Sequence, residues 1–86
     1  MLIEHATTPA YPREQIDAGI EGRVMVQALI DTTGRVVDVQ LLASTGVAPF
    51  ERSSAEAVWQ YRFRPYRPEG VTREVYAVFR FAFRIY

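Results

Sequence analysis

The chain ends in the stretch 75-VYAVFRFAFRIY-86, whose side chains alternate in character from one residue to the next. The odd-numbered positions are all apolar: Val75, Ala77, Phe79, Phe81, Phe83 and Ile85. The even-numbered positions are mixed: Tyr76, Val78, Arg80, Ala82, Arg84 and Tyr86. A period of two is typical of a β-strand with one buried face, and a strand of this length spans about 40 Å. The sequence therefore predicts one long strand over residues 75–86 whose odd-numbered side chains enter the core.

Two shorter alternating stretches lie upstream, at residues 23–30 and 35–43. Their apolar sides are Val24, Val26, Ala28 and Ile30 in the first stretch, and Val37, Val39, Leu41 and Ala43 in the second. The connecting residues 31-DTTG-34 are typical of a hairpin loop in which glycine takes the position with positive φ. These features predict an antiparallel hairpin.

Two other segments favour helices. Residues 13–18 follow Pro12 and precede Gly19, which suit the first helical position and the position after a helix end. Residues 49–61 have a helical period, and one stripe of this helix consists of Phe50, Ser54, Ala57, Val58 and Tyr61. The second helix is predicted to cover one face of the sheet.

The order helix, strand, strand, helix, strand predicts an α+β domain with a three-stranded antiparallel sheet and two helices packed on one face. A right-handed crossover through the second helix places the third strand beside the first, which gives the strand order 2-1-3. The third strand then lies at an edge, protected only by the charges of Arg80 and Arg84. We expect residues 9–86 to form this one domain and residues 1–8 to be a flexible N-terminal segment.

Composition excludes several classes of function. Positive and negative residues number ten each, so the chain lacks the basic excess typical of nucleic-acid-binding domains. No apolar run approaches the ~20 residues of a membrane span, and cysteine is absent. His5 is the only histidine and has no partner at ligand spacing, while Ser53 and Ser54 lie in a predicted helix with no base nearby in sequence. We therefore expect no enzymatic activity, no cofactor and no metal site.

Two features allow more than one interpretation. Arg62, Arg64 and Arg67 interleave with aromatic residues, which could form a platform for single-stranded nucleic acid, or the aromatics could enter the core while the arginines favour the end of the helix. Trp59 is predicted to point away from the core, where the N-terminal residues 9–12 could cover it or it could serve as an exposed partner contact.

Four segments of the chain resemble the C-terminal domain family of the TonB energy transducers of Gram-negative bacteria. The segments are 11-YP-12, 19-GIEGRV-24, 30-ID-31 with 34-GRV-36, and 57-AV-58 with 61-YRFRP-65. Their order and spacing match the family over residues 9–83. The chain departs from the family pattern at 8-TP-9, where a Gln-Pro element is common, and at Tyr61, where the family usually has tryptophan.

The resemblance implies a periplasmic domain, anchored in the inner membrane through an N-terminal segment absent from this chain, that works with ExbB and ExbD. It implies binding of the TonB-box peptide of an outer-membrane transporter and transmission of energy from the proton gradient, for example for iron–siderophore uptake. The peptide would be held by strand addition along the last strand, with Tyr11 and Pro12 as further contacts. The expected peptide-binding residues on that strand are Glu74, Val75, Tyr76, Ala77, Val78, Phe79, Arg80, Phe81, Ala82 and Phe83.

An alternative use of the same edge is self-association. Met25, Leu29, Leu42 and Val78 give the outer face of the predicted sheet a partly apolar character, so the domain could form a homodimer or swap strands. A TonB-like domain of an accessory or sensor protein is also compatible with the sequence.

Overall fold

A computed structural model describes residues 2–85. In chain order its elements are β1 (Ile3–His5), α1 (Arg13–Asp17), β2 (Gly22–Ile30), β3 (Val36–Ser44), α2 (Ala48–Trp59), β4 (Arg62–Phe63), a 3₁₀ turn (Pro68–Gly70) and β5 (Val75–Phe83). Within this part of the chain no helix is long and apolar enough to cross a membrane.

The main sheet is antiparallel and has the strand order β3-β2-β5. Both outer strands pair with β2, which is why β2 is the most deeply buried strand: Val24, Val26, Ala28 and Ile30 are at most 2% exposed. Because β2, β3 and β5 are the predicted first, second and third strands, the α+β fold and the predicted order 2-1-3 are confirmed.

The core lies between this sheet and α2. The predicted stripe of α2 is buried from Phe50 through Val58, and Tyr61, just past the helix end, is also buried. Burial of each large apolar side chain contributes about 1.5–3 kcal/mol, so this stripe and the even-numbered residues of β2 dominate the stability of the domain. The sequence predicted that both helices pack on the sheet; α2 makes that contact, whereas α1 has no buried residue.

Strand β3 differs from its predicted alternation because it contains two extra residues relative to β2. The pairing shifts between Met25 and Val26 and again between Leu29 and Ile30, which leaves Leu42 and Val37 as bulge residues. A bulge reverses the face on which the following side chains lie. The predicted apolar side is therefore wrong in part: Val39 and Leu41 lie opposite buried residues of β2, but Val37 and Ala43 do not, and Val36 is buried instead.

The hairpin loop between β2 and β3 has the predicted turn chemistry. Gly34 has φ +90°, and its N–H donates to the Asp31 carbonyl at 3.0 Å. The Asp31 carboxylate accepts hydrogen bonds from the backbone N–H groups of Thr33 (2.9 Å) and Arg35 (3.0 Å) and from the Thr33 hydroxyl (2.6 Å). These hydrogen bonds lower the pKa of Asp31; the bond from the Thr33 side chain has the largest effect, and the bond from the Arg35 backbone has the second largest.

A second, two-stranded sheet was not predicted. β1 pairs with β4, and the Arg64 N–H donates to the Leu2 carbonyl at 3.0 Å. Strand β1 lies within the segment 1–8 that was predicted to be flexible; its flexibility stays a prediction, but the segment has a defined pairing partner. Strands of three and two residues are too short to show a period in sequence.

Strand β5 is shorter than predicted. It ends at Phe83, which pairs with Gly22, the first residue of β2, so no strand of the sheet continues beyond it. The next ladder position is taken by a side chain: the Ile85 N–H donates to the Glu21 carboxylate at 2.8 Å. Residue 86, the last of the predicted strand, lies outside the described residues.

Candidate functional site

One edge of β5 is open. The strand pairs with β2 without interruption from Gly22↔Phe83 to Ile30↔Val75, and no other strand of residues 2–85 pairs with it. Proteins usually protect an edge strand with proline, a bulge, charges or a covering segment. Here the β5–β2 register has no bulge, and Arg80 is the single charged residue within the strand.

Backbone hydrogen bonds elsewhere identify which groups of β5 face the open edge. The Arg23 carbonyl accepts from the Thr45 N–H (3.0 Å), and the Asp31 N–H donates to the Arg35 carbonyl (2.8 Å), so odd-numbered residues of β2 point toward β3. In an antiparallel ladder the N–H and C=O of one residue point the same way and successive residues alternate. Even-numbered residues of β2 therefore bond to β5, and their partners there are odd-numbered.

The outward-facing backbone groups consequently belong to the even-numbered residues of β5. These are Tyr76, Val78, Arg80 and Ala82, and each presents one N–H and one C=O to the open edge. Their side chains lie on the outer face of the sheet, where Tyr76 is 63% and Val78 44% exposed. Between them, Phe79 and Phe81 lie on the inner face and are only partly buried, because no further strand covers them.

The edge is fixed at its C-terminal end by an aromatic cluster. The ring of Phe83 stacks on Phe50 at 4.2 Å between centroids, and Tyr11 meets both rings edge-on at 5.4 and 5.6 Å. Gly22 lies beneath this cluster, where an added Cβ would come within 2.9 Å of the Phe50 ring. The cluster could not be predicted from sequence patterns because its members lie in three separate segments. Only the family resemblance at Tyr11-Pro12 indicated a functional role for Tyr11.

Tyr11 and Pro12 do not lie on the open edge. The Tyr11 hydroxyl donates to the Ile20 carbonyl at 2.5 Å, and burial, followed by the Glu21 carboxylate, raises the pKa of Tyr11. The Pro12 carbonyl accepts hydrogen bonds from the N–H groups of Gln15 and Ile16 in α1. Tyr11 thus holds the end of β5 through Phe83, while a direct contact of either residue with a partner stays a prediction. Glu74 precedes the strand and is exposed.

Trp59 is 45% exposed at the end of α2, which confirms that it stays out of the core. The N-terminal segment crosses α2 earlier, since the Ser53 hydroxyl donates to the Ala10 carbonyl, and it leaves Trp59 accessible. A role for Trp59 as a contact stays a prediction.

The interleaved arginine segment does not form a stacking platform. Tyr61 and Phe63 are buried, at 8% and 3% exposure. Tyr66 is therefore the one exposed aromatic residue of this segment. Within residues 2–85 no three potential metal-ligating side chains lie together. Ser54 is fully buried and its hydroxyl has no hydrogen-bond partner among the described residues.

Comparison with known proteins agrees with this architecture. The chain is 37% identical over 70 residues to the protein TonB of Vibrio cholerae serotype O1, and the match covers 81% of this chain and 29% of that protein. It is 42% identical over 57 residues to the protein TonB of Pseudomonas aeruginosa, covering 66% of this chain and 17% of that protein. The chain thus corresponds to less than a third of the length of these curated relatives.

Solved structures and a family model give the same result. The solution NMR structure of the Pseudomonas aeruginosa TonB CTD superposes with a TM-score of 0.83 at 35% identity and covers 96% of this chain and 84% of that one. A structure of the TonB2 protein of Vibrio anguillarum superposes with a TM-score of 0.74 at 25% identity and covers 100% of this chain and 82% of that one. The model of the Gram-negative bacterial TonB protein C-terminal family matches residues 7–85. The chain therefore belongs to the Gram-negative bacterial TonB protein C-terminal family.

Proposed function

We propose that this chain is the periplasmic protein-interaction domain of a TonB-type energy transducer, and that it binds the TonB-box peptide of an outer-membrane transporter by strand addition along β5. The observation that carries the proposal is the open edge of β5, where alternate residues from Tyr76 to Ala82 present unpaired backbone groups. An extended peptide laid against such an edge forms main-chain hydrogen bonds, and the flanking side chains give selectivity.

The two faces of the sheet offer the peptide different surroundings. On the inner face its side chains meet the partly buried rings of Phe79 and Phe81. On the outer face they meet Tyr76, Val78 and Arg80, which are exposed. A peptide with apolar residues at alternate positions therefore gains burial on the inner face in addition to its backbone hydrogen bonds.

In this proposal the domain performs no catalysis. It would be anchored in the inner membrane through a preceding segment that works with ExbB and ExbD, and it would pass on force derived from the proton gradient for uptake of nutrients such as iron–siderophores. A pull directed along β5 would load the hydrogen bonds of the added strand together rather than one at a time, which suits an edge strand to transmitting force.

A scan with N-methylated peptides tests strand addition. Each amide of a TonB-box peptide is methylated in turn, which removes one N–H and adds a methyl group that blocks pairing. Only every second peptide amide faces β5, so affinity should fall about tenfold or more at alternate positions and change little at the positions between them. A scrambled peptide of the same composition is the control. Equal losses at odd and even positions would refute strand addition.

Self-association through the same edge is the second candidate, because Val78, Leu42 and Tyr76 leave apolar surface exposed on or beside the outer face. Light scattering over a range of protein concentrations, with and without peptide, separates the two candidates. A monomer that binds the peptide supports the transducer; a stable dimer that ignores the peptide supports self-association.

A further inference from the structure

The outer face of the sheet carries a groove that the proposed strand pairing does not itself use. It has a volume of about 390 Å³, and its outer-face side chains are Arg23, Met25, Ala43, Arg80 and Ala82. No residue of α2 lines it, which agrees with its position opposite the core. We call it the Arg23–Arg80 groove.

Small residues create this groove. Ala82 of β5 pairs with Arg23 of β2, and Ala43 of β3 pairs with Met25. Directly opposite residues in a sheet have Cβ atoms about 5 Å apart, so a short side chain beside a long one leaves a depression. The floor is therefore apolar, and Arg23 and Arg80 are the charged residues of its lining.

Neither arginine has an acidic partner among the residues that the structure describes. The one ion pair among residues 2–85 joins Arg13 to Asp17 and lies on α1. Continuing the β2–β5 register one position past Gly22↔Phe83 places Glu21 across from Arg84, and the Glu21 carboxylate accepts the Ile85 N–H. Arg23 and Arg80 thus leave a local excess of positive charge on a chain whose formal net charge is zero.

The groove continues to the open edge of β5 at Arg80 and Ala82. A peptide residue across from Ala82 on an added strand would lie on the outer face, with Arg80 two residues away along β5 and Arg23 on the far side of Ala82 in β2. We propose that the Arg23–Arg80 groove is an acidic-residue subsite of the peptide-binding edge, which takes an Asp or Glu side chain of the added strand lying over Ala82. This inference rests on the proposed strand addition.

The chemistry suits a carboxylate better than a neutral group. The methylene stem of Glu covers the small Ala82, and its carboxylate reaches two guanidinium groups, each of which can donate paired hydrogen bonds. Asp or Glu at the neighbouring inner-face positions would instead face Phe81 or Phe83 and gain no such partner. The subsite therefore selects both the charge and the position of the acidic residue.

A paired Glu and Gln scan of a TonB-box peptide tests the subsite. Each position in turn carries Glu or its uncharged isostere Gln, and affinities are measured for the unmodified chain, Arg23→Gln, Arg80→Gln and the double variant. Arg64→Gln is the matched control, because Arg64 is exposed and lies outside the sheet. At one outer-face position we expect Glu to bind about threefold to tenfold more tightly than Gln, as for one carboxylate near two exposed cations.

That preference should fall in each single variant, vanish in the double variant, persist in Arg64→Gln and weaken in about 1 M NaCl, where the screening length is ~3 Å. Amide chemical shifts of β5 are recorded in the same titrations. If those shifts demonstrate pairing but no position prefers Glu, or if the preference survives in the double variant, the subsite is refuted and strand addition stands. If no peptide shifts the β5 amides, both proposals are refuted.

Discussion

Replacement of Gly34 by alanine should destabilise this domain far more than the same replacement at Gly46. Both glycines have positive φ, +90° and +92°. A Cβ added at Gly34 would lie 1.9 Å from the Phe63 carbonyl oxygen, whereas nothing lies within 4 Å of the corresponding position at Gly46. The two variants therefore share a backbone cost, and only one of them has a steric clash.

The backbone cost is small. Left-handed geometry costs a non-glycine residue about 1–2 kcal/mol, and restriction of the unfolded chain by alanine offsets about 0.4–1 kcal/mol of that. We expect Gly46→Ala to lower the free energy of unfolding by about 1 kcal/mol.

At Gly34 the strand β4 must also move away. Non-bonded heavy atoms are comfortable at about 3.5 Å, so Phe63 would have to retreat by roughly 1.5 Å. That movement breaks the 2.9 Å hydrogen bond from the Phe63 N–H to the Gly34 carbonyl, which contributes about 1 kcal/mol. It also draws a buried ring partly out of the core, and complete loss of such a ring costs about 3–5 kcal/mol. We expect Gly34→Ala to lower the free energy of unfolding by about 3–4 kcal/mol.

Urea unfolding followed by far-ultraviolet circular dichroism measures both variants. A domain of 86 residues has a free energy of unfolding of roughly 4–13 kcal/mol, so the larger loss at Gly34 shows either as a much lower urea midpoint or as unfolding without urea. If the two variants lose the same free energy within about 0.5 kcal/mol, the close approach of Gly34 to Phe63 is not a determinant of this fold.

Three further predictions concern single polar groups. Ser54→Ala should raise the free energy of unfolding by about 1 kcal/mol, because the buried hydroxyl has no partner; a lower melting temperature would show that it does have one. The pKa of Asp31 is lowered from its ordinary value of 3.8, so its contribution to stability is present above that pH and is lost as the pH falls below it. Asp31→Asn should remove this part of the acid dependence of the free energy of unfolding. Asp38→Asn, at an exposed control position, should leave it in place. The pKa of Tyr11 is raised from 10.0, so the contribution of Tyr11 to stability is complete below pH 10 and is lost as the pH rises through the folded-state pKa. Unfolding curves of Tyr11→Phe in alkaline buffer should show a weaker loss of stability. An unchanged pH dependence would contradict a raised pKa at Tyr11.

The main sheet could be predicted because its signals are local or follow from topology. The alternation of β2 and β5, the turn at residues 31–34 and the helical stripe of α2 are each encoded within one segment. The crossover rule then fixes which strand becomes the edge. The faces of β3 could not be predicted completely, because its bulges depend on how β3 pairs with β2 and cannot be read from the alternation of β3 itself.

The candidate site was predictable as an edge but not in its detail. The alternation of residues 75–86 indicated a strand, yet its end at Phe83 depends on where β2 begins. Which residues present backbone groups to solvent depends on hydrogen bonds made by β2 on its other side. Arg23 could not be predicted as a site residue, because its position beside Ala82 depends on the register between β2 and β5.

Amide hydrogen exchange along β5, read residue by residue with NMR, tests the proposal most directly. In the free domain the amides of Tyr76, Val78 and Arg80 should exchange rapidly, whereas those of Ala77 and Phe79 should be protected by bonds to β2. Addition of a TonB-box peptide should protect the first group and so remove the alternation. Unchanged exchange at these three amides, with the peptide demonstrably bound, would contradict strand addition at β5.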